Sequence, residues 1–103
     1  MIINIDELIP EDKKVIFHGE ELKVSNDVPV KLILTLMKCN EEMQKSPTDK
    51  KINMDLIDAL SDVIKFKNPE FDKQKFENSV TLREIGELSK IIFNIEDGIK
   101  KNI

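Results

Sequence analysis

Apolar residues in this chain alternate through Val15, Phe17, Leu22 and Val24 and recur at helical spacing beyond them, and the change of period falls at Asp27. Val15, Phe17, Leu22 and Val24 lie on one face of an alternating stretch, with Ile16 and charged residues on the other. Gly19 sits between the two runs, where glycine reaches positive φ without steric cost. The alternation therefore predicts a β-hairpin over residues 14–24. Two strands alone are barely stable in water, so this hairpin must pack on helix. Upstream, Ile2-Ile3-Asn4-Ile5 predicts a further edge strand, and Pro10 with Glu11 and Asp12 a turn.

The next element is a helix over residues 29–44, with Asp27 close to the cap and Pro29 in the first turn, where its missing N–H does no harm. At about 100° per residue, Val30, Ile33, Leu34 and Met37 fall on one side, while Leu32, Leu36, Cys39 and Met43 fall nearly opposite. A helix that is oily on two faces is either sandwiched between the hairpin and later helices, or holds one face ready for a partner. The polar stretch Lys45-Ser-Pro-Thr-Asp-Lys-Lys51 reads as a loop. A second helix follows over residues 54–66, capped by Asn53. Leu56, Ile57, Leu60, Val63 and Ile64 form its single stripe, and Asp55, Asp58, Ser61, Asp62 and Lys65 face outward. Asn68-Pro69 ends it. Residues 70–76 predict a helical turn or two with Phe71 and Phe76 inward. Thr81-Leu-Arg-Glu84 carries the S/T-x-x-E pattern in which hydroxyl and carboxylate each satisfy an orphan N–H at a helix start. That third principal helix covers residues 82–95, with Ile85, Leu88, Ile92 and Ile95 on its main face, Phe93 displaced from it, and Gly98 as the stop. The fold class is α+β, mostly α: a small hairpin packed on three principal helices in a single domain over residues 1–103.

At 103 residues with 40% apolar and 35% charged side chains, the chain is oily enough to fold and small enough that self-association or a partner would add to its stability. Twenty acids and 16 bases leave a net charge of −4 spread along the sequence. Lys13-Lys14, Lys50-Lys51 and Lys100-Lys101 each have acids nearby, so no basic face for nucleic acid is expected. Cys39 is the lone cysteine, which excludes an internal disulfide and fits a reducing compartment. The first residues have neither the basic nor the apolar region of a signal peptide, and the longest oily run, residues 32–37, is far too short for a bilayer. The expected location is the cytoplasm, with no membrane contact.

Catalytic chemistry is not expected. His18 is the lone histidine and stands between Phe17 and Gly19 as a surface strand residue, without the orienting carboxylate or adjacent nucleophile that a catalytic base needs. Acid pairs such as Glu20-Glu21, Glu41-Glu42 and Asp58/Asp62 suit solvated faces and do not make a metal or hydrolase constellation. Three scattered glycines cannot build a phosphate-cradling loop. Thr81-Leu-Arg-Glu-Ile-Gly-Glu-Leu-Ser89 could open a helix-turn-helix, but no basic recognition helix follows it. No catalytic residue, cofactor or metal is assigned.

Over residues 14–98, the Phe17-His-Gly19 turn, the Val24-Ser-Asn-Asp-Val-Pro29 entry into an oily helix, the Asn68-Pro-Glu-Phe-Asp72 stretch and the Glu77-Asn-Ser-Val-Thr-Leu-Arg-Glu-Ile-Gly-Glu-Leu88 helix start resemble the tail assembly chaperones of long-tailed bacteriophages and prophages. The likeness is one of order, spacing and size. It implies a small cytoplasmic helical protein that coats the tape measure protein, helps tail tube protein polymerise around it, and is absent from the mature virion. It also implies a longer frameshifted form, for which Lys100-Lys101-Asn102 can be encoded by a slippery adenine run. The alternative is a small cytoplasmic α+β adaptor or regulatory module that binds one globular target.

Either role needs an uncovered apolar surface. Leu32, Leu36 and Met43, with Phe93, are the candidate partner-contacting residues, unless the hairpin and later helices cover that face and leave the opposite one open. The partner is then an apolar helical client or a second copy of this chain.

Overall fold

The computed structural model describes residues 2–5, 13–25 and 27–93. Strands β1 (Lys13–Phe17) and β2 (Glu20–Val24) form an antiparallel hairpin. Helices α1 (Val30–Lys45), α2 (Lys50–Lys67), α3 (Lys73–Ser79) and α4 (Leu82–Phe93) follow. The α+β, mostly α expectation holds, with α3 as the short helical segment after Asn68. Expectations placed on Pro10 to Asp12, Asn26, Ile95, Gly98 and Lys100 to Asn102 lie outside the described residues.

The hairpin is built as its alternation predicts. Leu22 and Val24 are buried, Val15 and Phe17 pack against the core, and Ile16 points outward. Both central residues of the two-residue turn have positive φ, 50° at His18 and 84° at Gly19, the geometry whose twist matches that of the flanking strands. His18 is thus a turn residue and not a strand residue. Residues 2–5 do not join the sheet, which has two strands among the described residues, and Ile2, Ile3 and Ile5 are exposed. A four-residue run with isoleucine on both faces has no one-sided pattern to fix a register.

The central helix is α2, not α1. It packs on α1, α3, β2 and α4, and its buried set, Leu56, Ala59, Leu60, Ser61, Val63 and Ile64, is wider than one amphipathic stripe. Ser61, expected on the outside, is fully buried and donates its hydroxyl to the Asp58 carbonyl at 2.7 Å. The helix also starts a turn before Asn53. Asp49 is the cap, its carboxylate accepting from the Ile52 N–H at 3.1 Å, and Asn53 donates to the Pro47 and Asp49 carbonyls.

Two polar devices fasten the smaller elements to α2. Lys73 at the start of α3 reaches Asp62 at 2.6 Å and Asp58 at 3.1 Å, so the acid pair expected on a solvated face holds one ammonium, whose pKa is pushed up by both hydrogen bonds. Asn68, the residue after α2, takes both backbone groups of Lys23 in β2. Its Oδ1 accepts from the Lys23 N–H at 3.0 Å and its Nδ2 donates to the Lys23 carbonyl at 2.8 Å. Phe76 of α3, 2% exposed, closes the core between the rings of Phe17 and Phe71.

A candidate partner-binding surface

Both α1 and α4 touch α2, and a slot opens between them. Met37, Met43 and Phe93 supply its apolar walls, Gly86 and Ser89 line it from α4, and Glu41 and Lys90 stand at its rim. The open volume is about 520 Å³. Beyond Met37, the surface continues along α1 as an exposed apolar stripe. Val30 is 69% exposed, Leu34 57% and Met37 44%.

The four sequence-predicted contact residues divide between core and slot. Leu36 is fully buried, and with it the assignment of this residue to a partner face is corrected: α2 lies against the side of α1 that carries Leu36 and Cys39. Leu32 is half-buried against the same core. Met43 and Phe93 do line the slot. The uncovered face is the opposite one, Val30, Leu34 and Met37. Sequence reasoning missed Gly86 and Ser89. A mid-helix glycine costs about 1 kcal/mol relative to alanine, and that cost was the available signal. Here a Cβ on Gly86 would meet nothing within 4 Å, so packing inside the monomer does not demand glycine. The Ser89 hydroxyl oxygen is buried without a hydrogen-bond partner among the described residues.

His18 has a carboxylate partner after all. Its Nε2 lies 2.8 Å from Glu84 Oε2, and its ring stacks on Phe17 with centroids 3.9 Å apart. Glu84 serves two elements at once. Its Oε1 accepts from the Thr81 N–H at 2.9 Å while Thr81 Oγ1 accepts from the Glu84 N–H at 3.2 Å, which completes the expected capping box and ties the hairpin turn to the start of α4. Among the described residues, no hydroxyl or thiol hydrogen-bonds the imidazole. Cys39 is buried, and desolvation pushes its thiol pKa up, the reverse of an activated nucleophile. Among the described residues, no group of histidine, cysteine and acidic side chains is arranged to hold a metal ion, and no helix is long and apolar enough to cross a membrane.

The Thr81 N–H, then the His18 ring, hold the Glu84 carboxyl below its ordinary pKa against the opposing push of burial. A carboxyl with a depressed folded-state pKa stabilises the fold above its unfolded value, and that contribution disappears as pH falls through the folded one. The urea midpoint should therefore fall on acidification below the ordinary carboxyl range, and Glu84→Gln should show a shallower fall over that window. Parallel slopes for the two proteins would rule out Glu84 as the titrating group.

No family model matches this chain, and no curated protein or solved structure matches it.

Proposed function

We propose that this chain is a non-catalytic tail assembly chaperone of a long-tailed bacteriophage or prophage, acting in the host cytoplasm to shield the apolar helices of a tape measure protein while tail tube protein assembles around it. The observation that carries the reading is the uncovered apolar surface of α1 running into the α1/α4 slot. Three large apolar side chains in one row on an exposed helix face make a patch of the kind that marks an interaction surface. Such a surface fits helix-in-groove recognition, in which an amphipathic helix lays its apolar face between two others. The ordered likeness of the Phe17-His-Gly19 turn, the Val24 to Pro29 entry and the Glu77 to Leu88 helix start to these chaperones supports the specific role. The buried thiol and the absence of a nucleophile beside His18, among the described residues, support a binding role over a reaction.

Co-expression with the product of a neighbouring tape measure gene provides the test. The parent chain should keep that client in the soluble fraction, and Leu34→Glu with Met37→Glu should remove the rescue while the variant remains folded by circular dichroism. Rescue that survives both charges would sink the proposal. So would a gene neighbourhood without tail genes, which leaves the adaptor reading.

A further inference from the structure

We infer that the α1/α4 slot takes one amphipathic helix with an acidic flank, laid along Val30, Leu34 and Met37 and approaching α4 most closely at Gly86. The inference rests on the slot being the binding surface proposed above, and it names the chemistry of the occupant.

Three observations select that occupant. The walls of the slot are two helices, whose backbone groups are already bonded within them. An extended peptide placed there would bury its own N–H and C=O groups without partners, whereas a helix satisfies them internally. The slot between α1 and α4 offers the position that a further helix takes in a four-helix bundle. Charge then sets the flank. Lys31, Lys38 and Lys45 recur every seven residues and so form one row along α1 beside the apolar stripe. All three are exposed, and none is in an ion pair among the described residues. Glu41 and Glu42 are the acids on this part of α1, and neither pairs with the row. An incoming helix with glutamates on that edge would meet the lysines as flanking charges meet across a coiled coil. A second copy of α1 would instead bring another lysine row.

Gly86 fixes where the helix crosses. Open space above Gly86 admits a neighbouring backbone or small side chain that any larger residue would displace. One turn away, Ser89 lines the same wall and is 9% exposed, with its hydroxyl oxygen closed off beneath the surface.

The test uses the full chain and two synthetic helical peptides of about 20 residues, spanning some 30 Å. Both carry leucine and alanine at heptad core positions, and they differ only in having glutamate or lysine on the flanks. Fluorescence anisotropy should show the glutamate peptide binding about tenfold tighter at low salt, with the preference shrinking as salt is raised. Gly86→Leu should weaken that binding by about tenfold without lowering the melting temperature, since residue 86 is exposed, a Cβ there meets nothing within 4 Å, and leucine favours the helix over glycine. Lys31→Glu, Lys38→Glu and Lys45→Glu together should reverse the order of the two peptides. Equal binding of both peptides, binding of neither, or indifference to Gly86→Leu would overturn the inference. A dimer in sedimentation velocity that Gly86→Leu dissociates would give the slot to a second copy instead. Binding that appears only after residues 94–103 are deleted would give it to the chain itself. Client rescue that survives Gly86→Leu refutes this geometry and spares the chaperone role, whereas peptide binding without client rescue does the reverse.

Discussion

Leu36→Glu is expected to abolish the cooperative thermal transition, while Leu34→Glu, two residues earlier on the same helix, leaves the midpoint nearly unmoved. Leu36 is fully buried beneath α2, and Leu34 is 57% exposed. Losing a buried leucine side chain removes about 2–5 kcal/mol, and placing a carboxylate in the same apolar site adds a desolvation penalty of several kcal/mol. Against a total stability of about 5–15 kcal/mol for a domain of this kind, the sum is enough to unfold it. Leucine and glutamate have similar helix propensities, so the contrast between the two positions reports packing alone. Thermal melts followed by circular dichroism decide the matter. A Leu36→Glu variant that melts like the parent would mean that α2 does not cover this side of α1.

Phe76→Ala should cost about 3–5 kcal/mol, the usual range for truncating a buried aromatic ring. Phe76 holds three elements together: its ring is 5.4 Å from that of Phe17 in the hairpin and 5.2 Å from that of Phe71 in the turn before α3. The cavity beside these rings is only about 20 Å³, room for about one water molecule, so there is little slack into which neighbours could collapse. With seven residues, α3 is too short to persist on its own propensity. Loss of the ring should therefore release α3 before the rest. Urea denaturation measures the total cost, and in a thermal melt the midpoint should fall by about 4–8 °C per kcal/mol for a domain of this size. Amide exchange should show the protection of residues 73–79 falling further than that of α2. Uniform loss across α2 and α3 would show that the aromatic cluster is not what fastens α3.

Local signals carried much of this architecture. The alternation through Val15, Phe17, Leu22 and Val24 specified both the hairpin and its inward face, and the Thr81/Glu84 box placed the first residue of α4 at Leu82. Each of these depends on neighbours in sequence. The start of α2 was less visible, because Lys50 and Lys51 face solvent in its first turn and contribute no apolar periodicity, while Asp49 caps it from within what reads as a loop. Which helix is central was not visible either. Oily residues are as frequent on α1 as on α2, but Ala59 and Ser61 let neighbouring elements approach α2 closely, and small residues leave no mark in a hydrophobic pattern. The candidate surface divides in the same way. Met43 and Phe93 stood out as apolar side chains off the main stripes, whereas Gly86 matters for the space above it and Ser89 is a small polar residue on the wall, neither of which an apolar pattern shows. His18 and Glu84, 66 positions apart, meet only because the hairpin folds over the start of α4.

The amide of Asn68 presents a carbonyl and an N–H side by side, as a backbone peptide group does, and it takes both polar groups of Lys23 on the edge of β2 that faces away from β1. In effect one side chain stands in for a third strand and ends the ladder there. Open strand edges are templates on which other extended chains add and from which aggregates grow. A protein that keeps apolar helical surface open in a crowded cell is exposed to that hazard more than most. By closing β2 at Lys23, Asn68 separates the open apolar face of α1 from the sheet edge: an extended chain that reaches β2 at Lys23 finds its hydrogen bonds there already taken.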